Sequence, residues 1–308
     1  MVLSLDRHEL LPGTDCPLKR QVSLAGYTSY RVGGEAEWFM APRTAEQVSA
    51  GLAWAHDQGL PVTLLGAGSN LLISDRGLPG LVICSRYLRQ MVFDDDAGQL
   101  TAAAGEPLPN LAWKAARRGW RGLEWAVGIP GTLGGAVFMN AGAHGACTAE
   151  SLIQAQGMSF AGDEMTWSPQ DLKFAYRTSS LQQTPCLVTQ ATLQLQPGYA
   201  PAEVIADTQH ALEQRRSTQP YNRPSCGSVF RNPTPRSAGQ VIEQSGLKGY
   251  QIGQAQVSTL HANFIVNCGG AKAMDVLRLI QHVQDQVQTQ WSLALHPEVR
   301  LLGEFAGC

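Results

Sequence analysis

The chain has 308 residues, 44% of them hydrophobic and 16% charged, enough to bury a sizeable core and to suggest two or three domains. A formal charge of −2 gives no basic field to hold nucleic acid or an anionic membrane by counterion release. The seven cysteines (16, 84, 147, 186, 226, 268, 308) are odd in number, with no CxxC pair or Cys/His cluster at metal-ligand spacing, which predicts a reduced, cytoplasmic protein without a metal site.

The N-terminal stretch MVLSLDRHELLPG has neither the basic nor the apolar region of a secretory signal, and no apolar run approaches the ~20 residues of a membrane span. TAEQVSAGLAWAHDQG opens with Thr44 and Gln47 at capping-box spacing and keeps helical intervals up to Gly59. The strand PVTLLG follows, breaks at GAGSNLL (66 to 72), and gives way to the short strand LVIC (81 to 84). PLPNLAWKAARRG reads as a second helix ending at Gly119, ahead of a region from 122 to 145 rich in small residues. CLVTQATLQL alternates, with Leu187, Thr189, Ala191, Leu193 and Leu195 on one face and Val188, Gln190, Thr192 and Gln194 on the other, as a half-buried strand closing a domain.

Composition shifts at QPGYAPAE, so a domain boundary is expected near 197–200, before a polar helix over about 201–216. A Pro-rich loop (220–235), a helix near 237–245 ended by Gly246, the strand-like HANFIVN and a long helix near 271–291 complete the chain. Val276, Leu277, Ile280, Val283, Val287 and Trp291 form one stripe on that last helix, the pattern of a core face. Strands and helices intermix without a repeating period, so the fold class is α+β and not a solenoid or propeller.

Chemistry is expected in the glycine segments. GAGSNLL lacks the third glycine of a dinucleotide fingerprint, since Leu71 stands there, and a Rossmann fold is excluded. The backbone of Gly66, Ala67 and Gly68, with Ser69 and Asn70 as further polar contacts, nevertheless suits a pyrophosphate; a tight turn after a strand is the ordinary alternative. GIPGTLGGAVFMNAGAHG (128 to 145) has six glycines in eighteen residues, yet Ile129, Leu133, Val137, Phe138 and Met139 are too apolar for a flexible linker. Two such segments point to a large phosphorylated cofactor. PSCGSVFRNP (224 to 233) raises a separate question: Ser228 is either ordinary turn chemistry or a working group beside a ligand.

GAGSNLL, GIPGTLGGAVFMNAGAHG, AYRTS (175 to 179), CGSVFRNP, HANFIVN and HPEVRLLG, in this order and spacing, resemble the UDP-N-acetylenolpyruvoylglucosamine reductase (MurB) family along nearly the whole chain. The resemblance implies a flavin-binding fold of the vanillyl-alcohol oxidase (PCMH) type over 1–198, in subdomains of about 1–85 and 86–198. A substrate-binding domain would follow over 199–308, its last strand, about 298–308, free to return to the FAD domain. The length of the chain resembles the shorter subgroup, which lacks a tyrosine-bearing loop. The implied reaction uses FAD and NADPH to reduce UDP-N-acetylglucosamine enolpyruvate to UDP-N-acetylmuramate in peptidoglycan precursor synthesis, with a monomer sufficing.

By resemblance, Ser228 donates the proton to C2 of the enolpyruvyl group, while Arg177 and Glu298 flank its carboxylate. The cofactor would meet Gly66, Ala67, Gly68, Ser69, Asn70, Gly128, Ile129, Gly131, Thr132, Gly134, Gly135, Asn140, Ala141 and Gly142. Tyr176, Arg215, Arg216, Gly227 and Asn232 would meet the substrate; the two arginines, at the end of a helix, are either a solvated basic pair or contacts to its diphosphate. No Cys or His stands in an attachment context, His144 included, so FAD is expected to bind without a covalent link. The chain departs from the family at His296, where Glu is common, which bears on the local charge around Glu298. Two other readings stay open on the residues: a flavin oxidase of the same fold, and a non-catalytic nucleotide-sugar sensor.

Overall fold

The computed structural model describes residues 9–305; most of the N-terminal stretch discussed above lies outside them. Two compact units are assembled from interleaved stretches of chain. The first takes the chain up to Val22, Ala36–Ala67 and Pro79–Leu212, and the second takes Ser23–Glu35, Gly68–Leu78 and the chain from Glu213. The C-terminal break therefore falls inside the helix Pro201–Thr218 and not at 197–200. Apolar packing keeps the start of that polar helix with the first unit, since Ala211 and Leu212 pack against its core, and Arg121 adds ion pairs to Glu203 at 2.6 Å and Asp207 at 2.7 Å. Composition marks where a strand stops but is blind to such pairs.

The first unit holds two five-stranded sheets. One runs in the order Glu9–Leu10, Pro17–Ser23, Glu35–Met40, Leu78–Cys84, Val62–Leu65, with Val62–Leu65 parallel to Leu78–Cys84. The helix Ala45–Asp57 buries Val48, Leu52 and Ala55 with Met40, Leu81 and Ile83 of this sheet. Thr44 caps it by accepting from the Gln47 amide, as its spacing predicts, but the Gln47 side chain takes the Arg43 N–H at 2.7 Å and so closes the turn one residue earlier than a capping box.

The other sheet is antiparallel, in the order Glu164–Trp167, Leu152–Ser159, Cys186–Gln194, Gln99–Ala103, Met91–Asp94. Its core gathers Leu100, Ala102, Trp120 and Trp125 with Leu108, Leu111, Ala112 and Ala115 of the helix Leu108–Arg117. The strand Cys186–Gln194 departs from the simple alternation expected of it. Val188 pairs with Gly157 and Gln190 with Gln156, so Thr189 is an extra residue, a β-bulge. The faces exchange at that point: Leu187 packs with the core of the first sheet, whereas Ala191, Leu193 and Leu195 pack with Cys186 and Val188 in the core of the second.

In the second unit the long helix Ala273–Trp291 buries Val276, Leu277, Ile280, Val283 and Val287, and Trp291 packs at the edge with its indole N–H on Ser245 Oγ at 2.9 Å. A three-stranded antiparallel sheet, Gln251–Ile252, Ala255–Val257 and Ile265–Asn267, lies in the same unit. HANFIVN supplies only the last three residues of strand; its first part is a turn closed by the Phe264 N–H on the His261 carbonyl. Leu71–Ile73 and Arg300–Leu302 form a parallel pair, so the last strand reaches far back in sequence, to a segment that itself packs in this unit. The Asp75 carboxylate holds it there by accepting from the first helical amides, Ala273 at 2.8 Å and Met274 at 3.0 Å, where a negative charge also complements the helix dipole.

Candidate active site

Gly66 and Ala67 follow the strand Val62–Leu65, and their carbonyls accept from Arg86, Nε at 3.1 Å and Nη2 at 2.5 Å. A Cβ at Gly66 would stand 3.0 Å from Thr132 Oγ1, so the two glycine segments meet there. Thr132 is buried and caps the short helix Leu133–Met139. The helix presses on the residue after the strand Gln99–Ala103 at Gly134, whose added Cβ would lie 2.8 Å from that of Ala104, and the Gly134 N–H donates to the Ala104 carbonyl. Gly131 N–H goes to Ile129 and Gly135 N–H to Thr132 Oγ1. Close packing therefore accounts for part of the second segment, and these three amides are not turned toward an anion. The first segment is different: the N–H groups of Gly68, Ser69 and Asn70 meet no protein acceptor among the described residues.

Asn140 sits in the left-handed region (φ 44°), and its side chain is spent on protein partners, donating to Ala175 O at 3.0 Å and accepting from Ala149 N at 3.0 Å. It braces the turn that carries Arg177. Ala175 and Thr178 exchange both backbone hydrogen bonds, at 3.0 and 3.1 Å, across Tyr176 and Arg177. Arg177 has φ +56°, an uncommon conformation for a residue other than Gly. Its Nη2 donates to Gly142 O at 2.9 Å, and its guanidinium carbon lies 5.2 Å from the ring of the exposed Tyr176. Gly142–Ala143 and Ala146–Cys147 form a small hairpin whose turn residues His144 and Gly145 both have positive φ, which gives His144 a turn role.

In the second unit, Gly227 (φ +82°) turns the chain into Ser228, and the next two residues are held on both sides. Asn263 O accepts from Val229 N at 2.9 Å, while its buried side chain pairs with both backbone groups of Phe230, at 2.9 and 2.8 Å. From the other side, Glu298 N donates to Val229 O at 2.7 Å and Arg231 N to His296 O at 2.9 Å. This pairing sets the Glu298 backbone beside Val229, the residue that follows Ser228. His296 contributes its carbonyl, with its side chain exposed. Asn70 joins the same cluster: its Nδ2 donates to Glu298 O at 3.1 Å, and its carbonyl accepts from Arg300 N. Asn232 gives its side-chain oxygen to Ala238 N, at the start of the helix Ala238–Gln244. Arg215 bonds Gln219 and, at the start of the Pro-rich loop, Tyr221, and Arg216 is exposed; neither is bonded to the PSCGSVFRNP stretch among the described residues. Asn263 and Arg86, which fix the two loops through backbone groups, were missed in the sequence; an Asn inside an otherwise apolar run was the only signal for the first.

Tyr30 and Cys226 are buried in this unit's core, beside the Ser228 loop. Burial pushes the Cys226 thiol up to about 12, with the Glu298 charge adding to the effect and the neighbouring Tyr30 hydroxyl opposing it. Burial also raises the Tyr30 phenol well above its usual range. That hydroxyl makes no hydrogen bond of good geometry, although the Cys226 thiol lies beside it. Both groups hold their protons longer in the folded than in the unfolded chain. Stability is thus fully present below the unfolded cysteine value of about 9 and falls as pH rises from there toward 12. Urea unfolding at about pH 8 and about pH 10 should show that loss, and equal stability at the two would contradict it.

Residues 36–161 match the family model described as an FAD binding domain, and residues 219–302 match the one described as the C-terminal domain of UDP-N-acetylenolpyruvoylglucosamine reductase. A reductase of that name from Nostoc sp. is 61% identical over 295 residues, 96% of this chain and 89% of that protein. The chain belongs to the UDP-N-acetylenolpyruvoylglucosamine reductase family. The Synechocystis sp. member is 56% identical over 298 residues, covering 96% of this chain and 94% of its own. The crystal structure of the Thermus caldophilus reductase, 35% identical, superposes with a TM-score of 0.80 over 94% of this chain and 100% of that one. The fold is accordingly a PCMH-type FAD-binding domain with the C-terminal domain of this reductase family. No helix among the described residues is long and apolar enough to cross a membrane.

Proposed function

We propose that the chain reduces the enolpyruvyl ether of UDP-N-acetylglucosamine enolpyruvate to the lactyl ether of UDP-N-acetylmuramate, in the cytoplasm, with FAD bound and NADPH as reductant. Near-full-length identity to reductases of that name carries this reading. The residues fit the cofactor: in the Gly66–Asn70 turn the carbonyls are anchored to protein donors, while the Gly68, Ser69 and Asn70 amides remain for a pyrophosphate. Bound in that turn, FAD would supply the redox chemistry that carries hydride from NADPH to C3 of the enolpyruvyl group.

The side chains of the protein handle the charge and the proton. As hydride reaches C3, negative charge collects on C2 and its carboxylate. A serine hydroxyl is a weak acid, but an enolate carbon is a strong base, so a hydroxyl held in place by the clamped Val229–Phe230 backbone suffices to protonate C2. Arg177 offers a planar fork to the carboxylate. Glu298 assists only while it carries or shares a proton, because a bare carboxylate would repel the developing charge. Asn232 has its oxygen committed to Ala238, which leaves its amide NH₂ for the substrate. Arg215 and Arg216 are assigned to the diphosphate, and Tyr176 and Gly227 to substrate contact.

Acid precipitation of the purified yellow protein should release all of its flavin as FAD. Flavin retained on the pellet would refute non-covalent binding, and a colourless preparation would favour the sensor reading.

A further inference from the structure

We infer that Arg86 is a positioning residue that orients two amides of the first glycine segment, those of Ala67 and Gly68, toward an anion; this rests on the reading that the segment holds the FAD pyrophosphate. Arg86 follows the strand Leu78–Cys84 in a short 3-10 turn, Ser85–Tyr87. The turn is packed tightly against Gly105, where a Cβ would collide with Ser85 O, and is tied by the Leu88 N–H to Ser85 O and the Gly105 N–H to Leu88 O, both at 3.0 Å. From there Ser85 Oγ reaches Leu65 O at 3.4 Å, Arg86 Nε reaches Gly66 O at 3.1 Å and Arg86 Nη2 reaches Ala67 O at 2.5 Å. Three successive carbonyls at the strand exit are held by two adjacent residues.

In a trans peptide the C=O and the following N–H point in opposite directions. The peptide bonds after Gly66 and Ala67 are trans. With both carbonyls drawn to the guanidinium, the Ala67 and Gly68 amides face away from it, and neither finds a protein acceptor among the described residues. A cation on the carbonyl side also polarises each peptide group and strengthens its N–H as a donor. Arg86 thus acts on an anion it need not touch. A side chain that merely tied down the strand end would affect every flavin equally.

That difference supplies the test. The full-length protein, stripped of FAD, is titrated with FAD and with riboflavin, which lacks the pyrophosphate, by flavin fluorescence. Arg86→Leu should weaken FAD about 10- to 100-fold, the scale of lost hydrogen bonds to a charged group, and change riboflavin by less than about threefold. Arg86→Lys, able to serve one carbonyl but not two, should fall between, and it decides the matter if the leucine variant does not fold. Preference for FAD kept intact in the variant, or equal loss for both flavins, overturns the inference alone. A wild-type protein that does not prefer FAD overturns the assignment of the turn and the inference with it.

Discussion

Ser228→Ala is expected to leave the reduction of bound flavin by NADPH unchanged and to slow its reoxidation by the sugar nucleotide about 10²–10⁴-fold, the usual effect of losing a positioned general acid. The separation follows from where the proton is needed: only the second half-reaction forms a carbon base. The loop should survive the change, because it is held through backbone groups of Val229, Phe230 and Arg231 and the Asn263 side chain, not through the serine hydroxyl. Ser228→Cys should restore part of the rate, the thiol being the stronger acid. Stopped-flow absorbance resolves the two steps. Equal slowing of both half-reactions, or of neither, would make Ser228 a structural loop residue.

Arg177→Gly should separate activity from stability. The arginine holds φ +56°, which costs a residue with a Cβ roughly 1–2 kcal/mol relative to glycine. The change relieves that strain and removes the hydrogen bond to Gly142 O, which for a charged donor is worth about 1.5–3 kcal/mol, so net stability should move by no more than about 2 kcal/mol. Turnover should nevertheless fall at least ~10²-fold, as when a donor to developing negative charge is lost. Urea unfolding and steady-state rates measured together check this. Activity within an order of magnitude of wild type would remove Arg177 from the reaction. A strained backbone kept at a solvent-reachable arginine is itself a pointer to function.

Hydrophobic period was enough to find the helices Ala45–Asp57, Leu108–Arg117 and Ala273–Trp291, since each is amphipathic and has a readable start or stop. The motif set was enough for the family, while the glycine-rich segments by themselves were not. What stayed hidden depends on pairing between distant residues. The bulge at Thr189 exists only in its register against Gly157 and Gln156, so alternation along one strand assigned Leu187 to the wrong face. The segment from Gly68 to Leu78 packs with the C-terminal chain because Leu71–Ile73 pairs with Arg300–Leu302 and Asp75 caps the helix at Ala273, neither of which composition reveals. Asn140 and Asn70 were read as cofactor contacts from their motifs. Their side chains brace Ala175 and Glu298, a use that no local pattern encodes.

The most direct test of the proposed activity is the anaerobic second half-reaction. The flavin is first bleached with one equivalent of NADPH, and UDP-N-acetylglucosamine enolpyruvate is then mixed in without oxygen while the visible spectrum is followed. The proposal predicts full return of the oxidised flavin spectrum with one equivalent of UDP-N-acetylmuramate formed. A spectrum that stays bleached until oxygen is admitted would contradict it and identify a flavin oxidase instead.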